Sequence, residues 1–338
     1  MNPLSALYGV ATAARNNLYD RGLLKTHKLS RPVISIGNIS VGGSGKTPFV
    51  IMLGELLKQR GIAFDVLSRG YGRATRGAMF VDPKGTSRDF GDEPLLISQR
   101  LACPVLLGES RYQAGKLAEH DHVTPAATNA HVGTAALGCP PGQLPGPLHI
   151  VDDGFQHRSL ARDFDIVLLT AQDLHDQLLP AGRLREPLTS LRRADAIVLT
   201  EEIDPACLPS GKALWRLSRS LSIPSAPKKP NNPIAFCGIA RPDKFIEQLR
   251  AAGIEPVATK FFPDHHRYTD RDVRDLLEFK DRYAADGFIA TQKDAVNLGQ
   301  KYVPLAPIVF PPVKMELLDP AGVVDTILRV ITERRLKA

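Results

Sequence analysis

The chain has 338 residues, 43% of them hydrophobic and 23% charged, with a formal net charge of +7. That length fills about two ordinary domains and buries a core without disulfide or metal staples. The composition excludes a disordered or collagen-like chain and a multi-span membrane protein.

The first 31 residues hold Arg15, Arg21, Lys25, Lys28 and Arg31 against Asp20 alone, a basic end suited to an anionic surface. Aromatic residues make up 6% of the chain and interleave with no basic run, which argues against nucleic acid as a partner. No uncharged stretch near the start reaches the length of a spanning helix, and no basic segment precedes the apolar start as a cleaved signal requires. Leu4, Leu7, Tyr8, Ala11, Ala14 and Leu18 recur at helical spacing instead. One apolar face followed by basic residues is the pattern of a helix lying in a membrane interface, or of one docked on its own domain.

Strands are expected at 32–36, 64–68, 104–107, 148–151, 165–169 and 196–200, with helices at 45–59, 94–101 and 112–120. Such alternation predicts a parallel sheet covered on both faces. Residues 122–148 carry five prolines, four glycines and no Asp, Glu, Lys or Arg, and read as an irregular insertion. Prolines at 224, 227, 230 and 233 mark a semi-rigid connection over 221–233. Beyond it, strands at 234–239, 256–261 and 287–291 alternate with helices at 243–252 and 270–283. Segments 308–310 and 313–317 are expected to extend that second sheet, and a helix over 321–334 to close the chain. The expected organisation is a helix within 1–30, a larger α/β domain over 31–220, and a smaller α/β domain over 234–338. Cys103, Cys139, Cys207 and Cys237 show no C-x-x-C spacing, so four free thiols in a reducing compartment are expected.

The strongest chemical signal is Ser40-Val41-Gly42-Gly43-Ser44-Gly45-Lys46-Thr47, between an expected strand and an expected helix. Glycines let backbone N–H groups wrap a di- or triphosphate, Lys46 supplies a point charge to the β- and γ-phosphates, and the Thr47 hydroxyl can hold Mg²⁺. The usual pattern has Gly where this chain has Ser40. A phosphate loop of this kind works with a carboxylate at the end of a neighbouring strand, and Asp152-Asp153 supplies two. Guanine selectivity normally shows as N-K-x-D. Thr291-Gln292-Lys293-Asp294 sets Lys and Asp side by side, so ATP is expected over GTP.

Gly91-Asp92-Glu93-Pro94 places two acids just before a helical pattern, either as caps or as functional carboxylates. In the second reading Asp92 positions an acceptor hydroxyl and takes its proton, while Glu93 helps to hold the metal. Phe262-Pro263-Asp264-His265-His266 can bring a histidine to that carboxylate from across a cleft. Arg183 and Arg185 carry guanidinium forks suited to phosphate oxygens, and Arg69 and Arg73 lie in a similar basic turn.

These motifs together resemble the tetraacyldisaccharide 4′-kinase family. The shared residues are Ser35-Ile36-Gly37-Asn38, Val41 to Pro48, Ser68-Arg69-Gly70-Tyr71-Gly72, Gly91-Asp92-Glu93-Pro94, Asp152-Asp153-Gly154-Phe155-Gln156-His157, Pro180 to Glu186, and Asp264-His265. The resemblance runs in order from the N-terminal helix to the last third, departing from the family in its longer 122–148 stretch. It implies a P-loop NTPase-like domain joined to a smaller α/β domain. The implied reaction uses ATP and Mg²⁺ to phosphorylate the 4′-hydroxyl of a tetraacylated disaccharide 1-phosphate in lipid A biosynthesis. The implied place is the cytoplasmic face of the inner membrane, held peripherally, with no obligate protein partner. Carried over by position, Asp92 is the base, His265 its partner and Arg185 a phosphate contact. Thr47, Glu93, Asp152 and Asp153 serve the metal. The competing reading is a membrane-associated regulatory ATPase; such proteins often carry K-G-G-x-G-K-T, where this chain has Val41 in the leading position.

Overall fold

The computed structural model describes residues 2–120, 146–200, 203–223 and 230–337. Helix α1 (Pro3–Asp20) opens the chain; the Asn2 side chain caps it by accepting from the Leu4 N–H at 3.0 Å. Strand β1 (Val33–Asn38) passes through the glycine turn into α2 (Lys46–Gln59), and β2 (Phe64–Ser68) follows. Next come β3 (Met79–Phe80), α3 (Ser87–Phe90), α4 (Asp92–Leu101), β4 (Val105–Leu107) and α5 (Arg111–His120). After the insertion run β5 (Leu148–Asp152), β6 (Phe164–Leu169), β7 (Ala196–Leu199) and β8 (Ala213–Leu221).

A second lobe then forms from β9 (Pro233–Cys237), α6 (Pro242–Ala251), β10 (Ala258–Phe261), α7 (Asp270–Arg282), β11 (Gly287–Ile289), α8 (Gln292–Leu298) and β12 (Ile308–Val309). Its four strands are all parallel, in the order β10-β9-β11-β12. The chain returns to the first lobe through β13 (Val313–Leu317) and ends in α9 (Pro320–Leu336).

The large sheet has nine strands in the order β13-β8-β7-β6-β1-β5-β2-β4-β3. β1 sits at its centre, parallel to β5 and β6, and every residue of these three strands is buried. Continuous apolar runs of this kind belong to parallel strands covered on both faces. The edges β3 and β13 run antiparallel to their neighbours. The principal core joins Phe49, Leu53 and Leu57 of α2 to Ile97 of α4, Ile34 and Ile36 of β1, and Ile327 and Ile331 of α9. Each such side chain contributes about 1.5–3 kcal/mol by leaving water.

Three expectations change. Segment 313–317 does not extend the second sheet: it pairs with β8, Val313 opposite Leu221 and Leu317 opposite Leu217, and α9 packs into the first lobe's core. The region 234–338 is therefore not one structural unit. The second lobe is inserted between β8 and β13, and its two connections lie side by side, tied where Ser222 N–H donates to Pro312 O at 2.9 Å. Secondly, β8 was not foreseen, although its burial alternates as an edge-region strand demands. Thirdly, Asp92 and Glu93 lie inside the first turn of α4, with Gly91 as N-cap at φ 87°, rather than ahead of the helix. Of the 122–148 stretch, residues 122–145 lie outside the described residues, as do 224–229 of the connection. Cys103, Cys207 and Cys237 are free; Cys139 lies outside the described residues.

Candidate active site

The carboxyl ends of both parallel sheets face one cleft, the position where open α/β sheets bind ligands. β1 delivers the glycine turn. Gly42, Gly43 and Gly45 adopt φ of 77°, 47° and 87°, curling backbone N–H groups into an anion-binding concavity at the start of α2. Glycine is also demanded by close approach: a Cβ on Gly43 would lie 2.7 Å from Arg241 Cγ, and one on Gly42 2.8 Å from Ala240 Cβ. The loop after β9 thus seats the second lobe directly on the turn. Ser40 is fully buried and bridges to Leu184, while Val41 N–H donates to Arg183 O at 2.8 Å, so both anchor the turn from behind. Ser44 Oγ is buried and has no protein partner among the described residues.

Lys46 and Arg185 converge on the same two acceptors. Lys46 Nζ donates to Asn38 Oδ1 at 3.0 Å and lies 3.4 Å from Asp153 Oδ1. Arg185 donates to both Asp153 oxygens, at 2.9 and 2.8 Å, and also to Asn38 Oδ1. Burial works to raise the Asp153 pKa, but Lys46 and Arg185 hold it well below the usual carboxylate range. Asp153 stands at φ 52°, in the left-handed region that non-glycine residues rarely occupy.

Asp152 is the opposite case. It is buried at the end of β5, its Oδ2 accepts from Ser68 Oγ at 3.1 Å, and its Oδ1 has no partner among the described residues. Burial, reinforced by the negative charges of Glu93 and Asp153, pushes it up to about 7. A cluster of like charges with an orphaned buried oxygen is the environment a divalent cation relieves. Thr47, buried in the first turn of α2, completes the set. Among the described residues no three His, Cys, Asp or Glu form a cage by themselves. Mg²⁺ requires no such cage, since it is generally held through one or two carboxylates with water and substrate phosphates.

Across the cleft, His265 Nδ1 donates to Asp92, 2.8 Å from Oδ2 and 3.0 Å from Oδ1. His265 stands at φ 58°, so the loop after β10 holds it in a constrained conformation aimed at α4. Burial tends to raise the Asp92 pKa; the His265 hydrogen bond and the Lys293 charge override it and hold Asp92 at about 2. The hydrogen bond to Asp92 in turn raises His265 above its ordinary value. Glu93 pairs with Lys293 of α8, which offsets the burial that would raise its pKa and keeps it ionised. Asn297 Nδ2 adds a longer contact to Asp92 Oδ2 at 3.4 Å.

The fold therefore gathers Asp92, His265, Glu93, Lys46, Thr47, Asp152, Asp153 and Arg185 around one cleft. Arg183 turns away, paired with Asp176 at 2.9 Å. Sequence reasoning missed Asn38, Lys293, Asn297 and Arg241. Thr291-Gln292-Lys293-Asp294 had drawn notice only as a failed guanine motif. In the structure it is a capping box that starts α8. That box was readable as Thr-x-x-Asp and would have placed Lys293 in the first turn of a helix.

The sequence model of a family described as tetraacyldisaccharide-1-P 4′-kinase matches residues 1–332. The chain is 44% identical over 344 residues to a tetraacyldisaccharide 4′-kinase of Koribacter versatilis, covering 99% of this chain and 100% of that one. It is 40% identical over 311 residues to the enzyme of that name from Aquifex aeolicus, covering 88% of each. Among solved structures it is similar to LpxK from Aquifex aeolicus in complex with ATP. The TM-score there is 0.74 at 34% identity, covering 97% of this chain and 98% of the other.

Proposed function

The chain belongs to the tetraacyldisaccharide-1-P 4′-kinase family and is a kinase, and from that premise we propose a specific reaction. It transfers the γ-phosphoryl group of ATP to the 4′-hydroxyl of a tetraacylated disaccharide 1-phosphate, as a peripheral protein on the cytoplasmic face of the inner membrane. The observation that carries the proposal is the Asp92–His265 pair, which closes the cleft opposite the glycine turn. A protein that only bound and hydrolysed nucleotide to switch partners would have no use for a carboxylate held by a histidine from the other lobe.

In this reading the turn from Gly42 to Thr47 cradles the β- and γ-phosphates, with Lys46 and Arg185 moving from Asp153 onto phosphate oxygens. Thr47, Asp152 and Glu93 would hold Mg²⁺, which when bound neutralises charge on the phosphate oxygens. Asp92 accepts a hydrogen bond from the acceptor hydroxyl. At about 2 its pKa is far too low to ionise an alcohol beforehand. The carboxylate instead orients the nucleophile and takes the proton late, once bonding to phosphorus has acidified it, as suits a loose transition state. His265 fixes the carboxylate's orientation. Lys293, paired with Glu93, keeps both acids anionic.

The membrane assignment rests on α1. Leu4, Leu7 and Val10 are 60%, 67% and 67% exposed, an apolar row facing away from the protein. Basic residues follow this row, and no helix among the described residues is long and apolar enough to cross a membrane. A helix of this kind lies in the headgroup region. The test is incubation with labelled ATP, Mg²⁺ and a tetraacylated disaccharide 1-phosphate. A bis-phosphorylated lipid is expected, and ATP consumption indifferent to the lipid would favour the regulatory ATPase instead.

A further inference from the structure

Helix α1 has a second face, and its polar contacts land on the loops that build the phosphate site. The Tyr8 side chain, expected on the apolar face, turns inward, and its hydroxyl donates to Arg185 O at 3.1 Å. Asn16 Nδ2 donates to Glu186 Oε2 at 2.8 Å, and Ser5 Oγ accepts from Ala181 N–H at 3.1 Å. Residues 5, 8 and 16 share a side of the helix. Glu186 is 1% exposed, and the same oxygen accepts from Arg193 at 2.8 Å. A buried carboxylate of this kind tolerates little displacement of its donors.

A second set of contacts reaches the loop after Asp153. Arg15 donates to Gln156 O at 3.1 Å, and Arg158 donates to Asn16 O at 2.8 Å and to Asp20 at 2.6 Å. Gln156 in turn donates to Asn38 O at 2.9 Å. Both loops therefore converge on Asn38, the residue that also receives Lys46 and Arg185. Arg185 lies one peptide from the Glu186 that Asn16 holds.

We infer that α1 is a positioning element of the reaction: through Tyr8 and Asn16 it fixes the 183–186 loop, and so holds Arg185 beside Lys46 at the phosphate site. The inference rests on the kinase reading above and adds a linkage to it. The helix that offers an apolar row to a lipid surface is the same helix that sets the arginine. An acceptor reaching the cleft from that surface meets a site whose arginine is held by the surface-facing element. Tyr8 and Asn16 act through Arg185 and need not touch substrate.

The test uses the full-length chain with ATP, Mg²⁺ and the disaccharide 1-phosphate in detergent micelles. Tyr8→Phe/Asn16→Ala is expected to lower kcat roughly tenfold, as a displaced positioning group does, with KM for ATP within about twofold. In an Arg185→Ala background the same pair of changes is expected to have almost no further effect. Amide exchange at Arg185, whose N–H donates to Ile39 O, is expected to accelerate roughly tenfold in the double variant. Should the double variant lose its cooperative thermal transition, Tyr8→Phe alone, which removes one oxygen, takes its place. Unchanged kcat, or an undiminished loss in the Arg185→Ala background, overturns the inference. If the wild-type protein transfers no phosphate to the lipid, the kinase reading fails, and amide exchange alone then decides whether α1 holds the loop.

Discussion

Replacing Asp92 with Asn keeps the shape of the side chain and removes its charge. In the structure Asp92 accepts from His265, Glu93 N–H and Asn297, and it stands apart from the residues that hold Lys46. The loss should therefore fall on phosphoryl transfer and spare nucleotide binding. Positioned acid–base groups contribute about 10²–10⁴-fold, so kcat is expected to fall by that factor, equivalent to about 2.7–5.4 kcal/mol of barrier. A stability change accompanies it. The carboxyl is buried and its pKa drops from 3.8 to about 2 on folding. Ionisation of this group thus stabilises the fold by up to about 2 kcal/mol, fully present above the ordinary carboxylate value and lost as pH falls toward 2. Asn forfeits part of that, lowering Tm by a few degrees at neutral pH. The assay is label transfer to the lipid acceptor under saturating ATP, with ATP binding measured separately by equilibrium dialysis. Turnover within threefold of wild type would refute the assignment. So would a fall in ATP affinity as large as the fall in kcat, since the residue would then be supporting the nucleotide site.

The Asp92–His265 pair should also show in a pH series. The His265 pKa is raised above 6.5 by Asp92, so its stabilising share is complete below 6.5 and lost as pH rises through the higher folded value. The Tm difference between wild type and His265→Gln is accordingly expected to shrink with rising pH; a difference that grows would contradict the pairing. Gly43→Val should weaken ATP binding and destabilise the closed cleft by more than about 1 kcal/mol, because the new side chain meets Arg241 at a φ of 47°. Calorimetry of nucleotide binding checks this, and wild-type affinity would mean that the second lobe does not rest on the turn. Leu7→Ser/Val10→Ser should reduce co-sedimentation with anionic phospholipid vesicles by roughly tenfold or more, given about 1.5–3 kcal/mol for each apolar side chain withdrawn from water. Undiminished sedimentation would assign that row another role.

Much of the large sheet could be read from the sequence because its central strands are buried on both faces. Val33–Ile36, Ile150–Val151 and Ile166–Leu169 are apolar runs that only a covered strand explains. The glycine turn could be read because its chemistry is local: a left-handed backbone, a lysine and a threonine within eight residues. Asp92 and His265 stood out as residue types near turns, and their meeting across a cleft was expected from side-chain chemistry and the family resemblance. What neither segment shows by itself is the topology that brings them together, 173 positions apart. Their pairing depends on the second lobe being inserted between β8 and β13, and that topology was misread. The cause lies in β8. Ala213–Leu221 sets Trp215, Leu217, Arg219 and Leu221 on its more buried face and Arg216, Ser218 and Ser220 on its exposed one, a half-buried pattern interrupted by charge, and it lacks the apolar run by which the other strands were recognised. Without β8 in view, Val313–Leu317 has no visible partner in the first lobe and defaults to the sheet it follows. With β8 restored, the antiparallel pair ties both connections of the second lobe to one place, next to Ser222 and Pro312. A lobe attached through two adjacent strands can rock as a unit about them. Carried on that one lobe, Arg241 from the loop after β9, His265 from the loop after β10 and Lys293 from the first turn of α8 meet the glycine turn and α4 together.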